Sequence, residues 1–119
     1  MKRLILVAHG SRREASNAEV RALTRRLADR VKDRFDSTTC AFLEFAEPSI
    51  PAAIDAAVEA GGREITILPY FLASGAHVSE DIPQLVAVKR AQHPMVTIEL
   101  TSHIGAAPAM IELLASTVV

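Results

Sequence analysis

The stretch Leu4-Ile5-Leu6-Val7-Ala8-His9-Gly10 decides the fold of this 119-residue chain. Its first five residues are apolar without interruption, which is typical of a strand buried on both faces of a parallel sheet. No other apolar run in the sequence is longer, and this one is far shorter than the roughly 20 residues needed to cross a bilayer. The stretch therefore predicts the central strand of an α/β domain and no membrane span.

The segment after this strand carries the signals of a helix. Ser16-x-x-Glu19 forms a capping box, in which side chains satisfy backbone N–H groups at a helix start. Apolar residues then recur at helical spacing, at Val20, Leu23, Leu27, Val31 and Phe35. The pattern predicts a helix from about Asn17 to about Phe35.

The rest of the chain alternates between strand and helix patterns, without a linker or an internal repeat. The remaining predicted elements are a strand over 38–44, a helix opened by Pro48, Ser49 and Pro51 and stopped by Gly61-Gly62, a strand over 64–71, a helix over 78–92, a strand over 96–100 and a helix that starts at Pro108. Each connection is long enough for a right-handed crossover, which favours a four-stranded parallel sheet with helices on both faces. The first and third strands are the most apolar, and with these two at the centre the predicted order is 2-1-3-4. We expect residues 1–119 to form one domain.

Charge is distributed unevenly along the chain, although the net charge is only -1. Residues 1–35 contain ten Lys and Arg against four Asp and Glu, whereas residues 36–119 contain three against ten. Overall neutrality and an aromatic set of four Phe, one Tyr and no Trp disfavour a nucleic-acid binder. Two interpretations of the basic segment stay open: a solvated helix face, or a rim for an anionic ligand that includes Arg12 and Arg13.

The chain has a single cysteine, Cys40, which cannot pair within the chain. A lone thiol in an apolar stretch, with no signal peptide ahead of it, indicates a reducing compartment and a packed, unreactive sulfur. We therefore expect a cytoplasmic protein.

Three side chains with useful chemistry follow strands at one edge of the predicted sheet. His9 follows the first strand, His77 follows the third, and Glu44 closes the second. Ligands of such sheets bind outside the carboxyl ends of the strands where the winding reverses, here between the first and third strands. His103 follows the fourth strand at the same edge, whereas His93 is expected at the opposite edge as a surface cation at a helix end. We expect His9, His77 and Glu44 to converge.

Structural roles for these side chains also stay open. A histidine in a loop often only completes a local hydrogen-bond network, and Glu44 can cap the helix near Ser49 or pair with an arginine. Gly10 and Gly75, next to the two histidines, favour the functional interpretation because glycine lets the backbone approach a ligand closely.

Imidazole and carboxylate groups support both metal binding and proton transfer. Imidazole nitrogen suits Fe²⁺, Co²⁺, Ni²⁺ and Zn²⁺, and it titrates near neutral pH. A structural zinc site usually includes cysteine ligands, so an open metal site is favoured. The sequence contains neither G-x-x-x-x-G-K-[ST] nor G-x-G-x-x-G, and Ser11 and Ser74 lack the G-x-S-x-G pattern. Nucleotide binding and serine hydrolysis are therefore disfavoured.

Three ordered blocks of sequence resemble the small class II chelatases, the sirohydrochlorin cobaltochelatase and ferrochelatase family. The blocks are Leu4 through Gly10-Ser11-Arg12, Phe42-Leu43-Glu44 with Pro48-Ser49-Ile50, and Leu68-Pro69-Tyr70-Phe71-Leu72 through Gly75-x-His77-Val78 to Asp81-Ile82-Pro83. Together they extend over nearly the whole chain. The resemblance implies a three-layer, flavodoxin-like chelatase domain.

The same resemblance implies a function and a set of residues. The implied reaction is ATP-independent insertion of a divalent metal into sirohydrochlorin, an octacarboxylate tetrapyrrole, in cobalamin or siroheme biosynthesis. Co²⁺ is the expected ion, with Fe²⁺ or Ni²⁺ as alternatives, and the metal is a substrate with no nucleotide cofactor beside it. The resemblance places metal binding on His9 and His77, and catalysis on these two with Glu44. The candidate substrate-binding residues are Gly10, Ser11, Arg12, Arg13, Phe71 and Gly75.

A tetrapyrrole is large for one domain of this size, and family relatives of double length carry two such domains around a shared cleft. The resemblance therefore implies a homodimer whose carboxyl edges face each other. The near-neutral charge and the short apolar runs predict neither a nucleic-acid nor a membrane partner. The alternatives are a non-catalytic carrier of tetrapyrrole or metal, and phosphoryl transfer through a phosphohistidine at His9. Histidine phosphatases place an arginine directly before their His-Gly, where this chain has Ala8, which disfavours phosphoryl transfer.

Overall fold

A four-stranded parallel sheet forms the centre of the protein in the computed structural model, which describes residues 1–118 except for the side chains of His77 and Val78. The strands are β1 (Lys2–Ala8), β2 (Ser37–Phe42), β3 (Glu64–Pro69) and β4 (Thr97–Leu100), in the order β2-β1-β3-β4. This confirms the predicted order. The switch point therefore lies between β1 and β3, where the sequence placed it.

Helices lie on both faces of this sheet, as predicted. They are α1 (Glu14–Arg30), α2 (Ile50–Glu59), α3 (Ile82–Gln92) and α4 (Ala109–Thr117), with a π-helical turn at His77–Asp81 and a short 3-10 helix at Ile104–Ala106. Ile5 and Val7 of β1 pack into a core with α2 and α3. Leu4 and Leu6 alternate with them and are buried on the other face, where α1 packs against β2. The continuous apolar run thus packs against helices on both faces of the sheet.

Helix α1 begins earlier than its capping box predicts. It starts at Glu14, with Arg13 at the N-cap position, so Ser16 lies inside the helix. The reason is Asn17, which is only 2% exposed. Its side chain accepts a hydrogen bond from the N–H of Ser11 at 2.9 Å and donates one to the carbonyl of Ser11 at 2.8 Å. These two bonds tie the loop after β1 to the first turn of the helix.

Several other boundaries differ from prediction by a few residues. Strand β2 ends at Phe42, so Glu44 lies in the loop that follows it, and β3 ends at Pro69. The start of α2 is as predicted, because the side chain of Ser49 accepts a hydrogen bond from the N–H of Ala52 at 3.3 Å. The helix predicted over 78–92 consists of the π-helical turn followed by α3.

A buried lysine connects α2 to α3. The ammonium of Lys89, a residue only 8% exposed, lies 2.9 Å from both carboxylate oxygens of Asp55. His93 Nε2 lies 3.0 Å from the same carboxylate. Hydrogen bonds from Lys89 and then from His93 lower the pKa of Asp55 below its usual value. His93 stands at the end of α3, as predicted, but it is part-buried beside Asp55 and not fully exposed at the surface.

Helix α4 covers little of the protein. All nine of its residues belong to the described part of the chain, and each is at least partly exposed, including Ile111, Leu113 and Leu114. The segment before it is anchored, because the N–H of Gly105 donates to the carbonyl of Phe71 at 2.9 Å. Helix α4 therefore starts at the carboxyl edge of the sheet. Among the described residues, no helix is both long and apolar enough to span a membrane.

Candidate active site

His9 and Glu44 meet at the carboxyl edge of the sheet. His9 directly follows β1, and its Nε2 lies 3.5 Å from Oε1 of Glu44. Its other ring nitrogen, Nδ1, lies 3.2 Å from the carbonyl oxygen of Gly10. The two side chains are 48% and 47% exposed, so both can reach a molecule from solvent. An imidazole and a carboxylate in this arrangement can share a proton or approach one cation together.

Backbone hydrogen bonds bring Glu44 to this position from the loop after β2. The parallel ladder between β1 and β2 pairs Ala8 with Phe42. It is extended by the N–H of Leu43, which donates to the carbonyl of Ala8 at 3.0 Å, and by the N–H of Glu44, which donates to the carbonyl of His9 at 3.1 Å. Glu44 thus continues the line of β2 beyond the end of the strand. The prediction that Glu44 lies at the carboxyl edge of the sheet is confirmed, although β2 ends two residues before it.

Gly10 makes the close approach of these two segments possible. Its φ is +89°, a backbone conformation that favours glycine. A Cβ at this position would lie 1.8 Å from the carbonyl oxygen of Glu44, which is far inside van der Waals contact. Glycine is therefore required here for the loop after β1 to pass beside the loop after β2.

The second predicted histidine, His77, starts the π-helical turn His77–Asp81 after β3, but its side chain lies outside the described residues. Its convergence with His9 and Glu44 thus stays a prediction. Within the part of the chain that the structure describes, no group of three or more His, Cys, Asp and Glu side chains is arranged to hold a metal ion.

The predicted substrate-binding residues lie on the same edge but differ in their surroundings. The Ser11 hydroxyl accepts a hydrogen bond from the N–H of Arg13 at 3.0 Å, so it serves the start of α1. Arg12 and Arg13 are both exposed. Phe71 is partly buried against the core, which indicates a role in packing. Gly75 is exposed, and a methyl group built on it meets no described atom within 4 Å.

One residue of this edge was not predicted from the sequence. Phe45, directly after Glu44, has a φ of +66° and is 52% exposed. The guanidinium carbon of Arg12 lies 4.9 Å from the centre of its ring. No motif signals a positive φ at a phenylalanine, so only the structure reveals this pair.

A cavity of about 450 Å³ opens beside the catalytic candidates, on the α3 side of Glu44. Its lining consists of Leu43, Glu44, Asp81, Gln84, Leu85 and Val88. A larger cavity of about 670 Å³ is lined by the first residues of β1, β3 and β4, at the opposite edge of the sheet. Of these two cavities, the smaller one is therefore the one that adjoins Glu44.

The CbiX family model matches residues 3–119. The chain belongs to the CbiX family. Its fold agrees with this, because the "sirohydrochlorin chelatase SirB" of Bacillus subtilis subspecies spizizenii, solved in complex with cobalt, superposes with a TM-score of 0.85 at 26% identity. That match covers 97% of this chain and 48% of the SirB chain.

Two curated relatives connect this CbiX-family chain to chelatases. It is 40% identical over 95 residues to the sirohydrochlorin cobaltochelatase of Methanocaldococcus jannaschii, which covers 78% of this chain and 64% of the relative. It is 31% identical over 106 residues to the sirohydrochlorin ferrochelatase of Bacillus subtilis strain 168, which covers 88% of this chain and 40% of the relative. The chain thus spans less than two thirds of the length of either protein.

Proposed function

We propose that this CbiX-family protein inserts a divalent metal ion into sirohydrochlorin, with Co²⁺ as the expected ion and Fe²⁺ or Ni²⁺ as alternatives, and that it consumes no nucleotide. The observation that carries the proposal is the His9–Glu44 pair, 3.5 Å apart and half-exposed at the carboxyl edge. The similarity to a cobaltochelatase and to a ferrochelatase supports the substrate and the two leading metals. The metal is a substrate here, and the product is a metallated tetrapyrrole of the cobalamin or siroheme pathway.

Metal insertion requires bases beside the macrocycle. Two pyrrole N–H protons leave as a divalent cation enters, so the metallated ring carries the same net charge as the metal-free ring. His9 can accept one proton at Nε2, and the Glu44 carboxylate, 3.5 Å away, stabilises the resulting imidazolium or accepts the other. A base within hydrogen-bond reach of the reacting proton is the requirement for such a step. The half-exposure of both groups lets a planar ring approach them from solvent.

Weak metal ligation suits this chemistry better than tight ligation. The ion must lose part of its water and then pass to four ring nitrogens, so the protein must release it. A few neutral imidazole contacts hold such an ion loosely, whereas a four-ligand site with cysteine would retain it. We propose His9 as one of these ligands and, from the sequence, His77 as the second.

We also propose that the functional unit is a homodimer of single chelatase-like domains, in which two carboxyl edges enclose one tetrapyrrole. The half-exposed His9 and Glu44 support this, because a ring bound to one edge alone would keep its other face in water. The exposed Ile111, Leu113 and Leu114 of α4, which begins at this edge, supply apolar surface for an interface. Light scattering is expected to give twice the 12.8 kDa mass of one chain. A monomer at micromolar and higher concentrations would contradict the dimer.

A cytoplasmic location completes the proposal. Its support is Cys40, a free and half-buried thiol within β2, which suits a reducing compartment.

The test is a metal-insertion assay on the purified protein. Metal-free sirohydrochlorin is mixed with Co²⁺, Fe²⁺ or Ni²⁺ under anaerobic conditions, and the change in the absorption spectrum is followed with and without protein, and with and without ATP. We expect acceleration over the uncatalysed rate with at least Co²⁺, and no effect of ATP. Binding of the tetrapyrrole without acceleration for any of the three metals would instead identify a carrier and refute the proposed activity.

A further inference from the structure

Phe45 combines two features that folding alone does not explain. Its φ of +66° lies in the region that a bulky side chain rarely adopts, so the backbone would be more stable with glycine or asparagine. Its ring is 52% exposed, so only about half of its apolar surface is buried to offset this strain. Strained residues of this kind persist where the surrounding structure holds them and concentrate at functional sites.

The surrounding structure does hold this loop. The N–H of Phe42 donates to the carbonyl of Pro48 at 2.9 Å, which closes the loop at its base. Arg21 of α1 reaches the same loop, with its guanidinium carbon 5.3 Å from the centre of the Phe42 ring and Nη2 3.4 Å from the carbonyl of Glu47. Phe45 therefore stands at the tip of a braced loop, one residue after Glu44.

Arg12 lies over the ring of Phe45, at 4.9 Å from its centre. A guanidinium that stacks on an aromatic ring uses its flat face, whereas its N–H donors point outward in its own plane. Those donors match the two oxygens of a carboxylate and can bind it in a bidentate way. Contact with the ring thus holds the Arg12 guanidinium in place without using its N–H donors, and it limits the freedom that a long exposed side chain would lose on binding.

We infer that Phe45 is a positioning residue, which holds Arg12 as a clamp for a carboxylate on the rim of the tetrapyrrole substrate. This inference rests on the proposed function, because sirohydrochlorin is an octacarboxylate ring. Arg12 follows His9 by three residues and Phe45 follows Glu44 by one. The clamp therefore lies beside the two groups that face the ring centre, and it fixes how the ring is oriented over them.

The test is a double-mutant cycle on the binding of metal-free sirohydrochlorin, measured by its fluorescence and therefore independent of metal insertion. Phe45→Asn removes the ring but tolerates positive φ, and Phe45→Tyr keeps the ring. We expect Arg12→Ala to raise Kd about tenfold, as for the loss of one charge-assisted contact. Phe45→Asn should raise Kd about fivefold and Phe45→Tyr less than twofold. The double variant should bind like Arg12→Ala alone, because Phe45 acts through Arg12.

A matched control separates the clamp from general charge. Arg25 is an exposed arginine farther along α1, about 16 Å beyond the start of the helix at 1.5 Å per residue. Arg25→Ala removes the same charge away from the edge, and we expect its Kd to stay within twofold of the unaltered protein. In the assay with Co²⁺, the clamp variants should raise KM for sirohydrochlorin by a larger factor than they lower kcat.

Two results would overturn the inference: unchanged binding in Phe45→Asn, or a double variant whose loss is the product of the two single losses. These experiments test the role of Phe45 separately from the proposed metal insertion. If the unaltered protein binds sirohydrochlorin with the expected coupling but does not insert metal, only the proposed activity fails. If it inserts metal while the cycle shows no coupling, only the role of Phe45 fails. Melting curves of the variants identify any loss that is due to unfolding.

Discussion

Replacing His9 with alanine is expected to lower the rate of metal insertion by at least about a hundredfold at saturating substrate, the range typical for loss of a positioned base. The residue stands at the end of β1 with Nε2 3.5 Å from the Glu44 carboxylate, and alanine leaves that carboxylate without its imidazole neighbour. The side chain is 48% exposed, so its removal opens no cavity in the core. The melting temperature should therefore change by no more than a few degrees.

The measurement is the initial rate with Co²⁺ and metal-free sirohydrochlorin, for His9→Ala beside His103→Ala. His103 is the matched control, because it is another histidine that follows a strand at the same edge, after the outer strand β4. We expect His103→Ala to retain activity within about threefold. Equal losses in the two variants, or full activity of His9→Ala, would contradict the role of His9.

The same variant distinguishes the two roles proposed for His9. If its imidazole acts mainly as a metal ligand, a large excess of Co²⁺ should restore much of the rate, because the ion then reaches the ring without help. If it acts mainly as a base, excess metal should have little effect. Added imidazole should then restore part of the rate by accepting the proton in place of His9.

A Glu44→Gln variant, which keeps the shape of the side chain but not its charge, should lose less of the metal-insertion rate than His9→Ala.

Much of the architecture could be predicted because hydrophobic periodicity encodes it directly. The run from Leu4 to Ala8 is apolar on both faces of the sheet, which requires layers on both sides and a central place. Central positions for this strand and for the apolar third strand predict the strand order and the switch point, and the switch point selects the edge on which His9 and Glu44 meet. Topology rather than any local motif located the pair, since a strand ending in His-Gly is by itself a weak signal.

The features that sequence reasoning missed depend on contacts between distant segments. The capping box predicts a helix that starts after Ser16. Because Asn17 is hydrogen-bonded to Ser11, the helix starts about one turn earlier. The positive φ of Phe45 has no signature in a sequence, because it results from how a loop is held at both ends. The part-burial of His93 cannot be predicted from the local pattern, because its partner Asp55 is 38 residues away in the sequence.

Replacing Gly10 with alanine is the second change with a large expected effect. The new Cβ would lie 1.8 Å from the carbonyl oxygen of Glu44, and φ at this position is +89°. Both the overlap and the backbone strain oppose the native structure, so we expect a loss of at least about 3 kcal/mol in the free energy of unfolding. For a chain of this size, that corresponds to a fall in melting temperature on the order of 10 °C. Metal insertion should fall as well, because the overlap displaces Glu44 from His9.

Thermal unfolding followed by circular dichroism measures this effect, with two variants for comparison. Gly75→Ala is the matched glycine replacement at the same edge. Its Cβ meets no described atom within 4 Å, so its stability should stay within about 0.5 kcal/mol of the unaltered protein. Gly10→Asn separates the two causes, because asparagine tolerates positive φ but carries the same Cβ. If overlap with Glu44 dominates, Gly10→Asn should be nearly as unstable as Gly10→Ala, whereas a mild effect in both would show that the two loops can separate without loss.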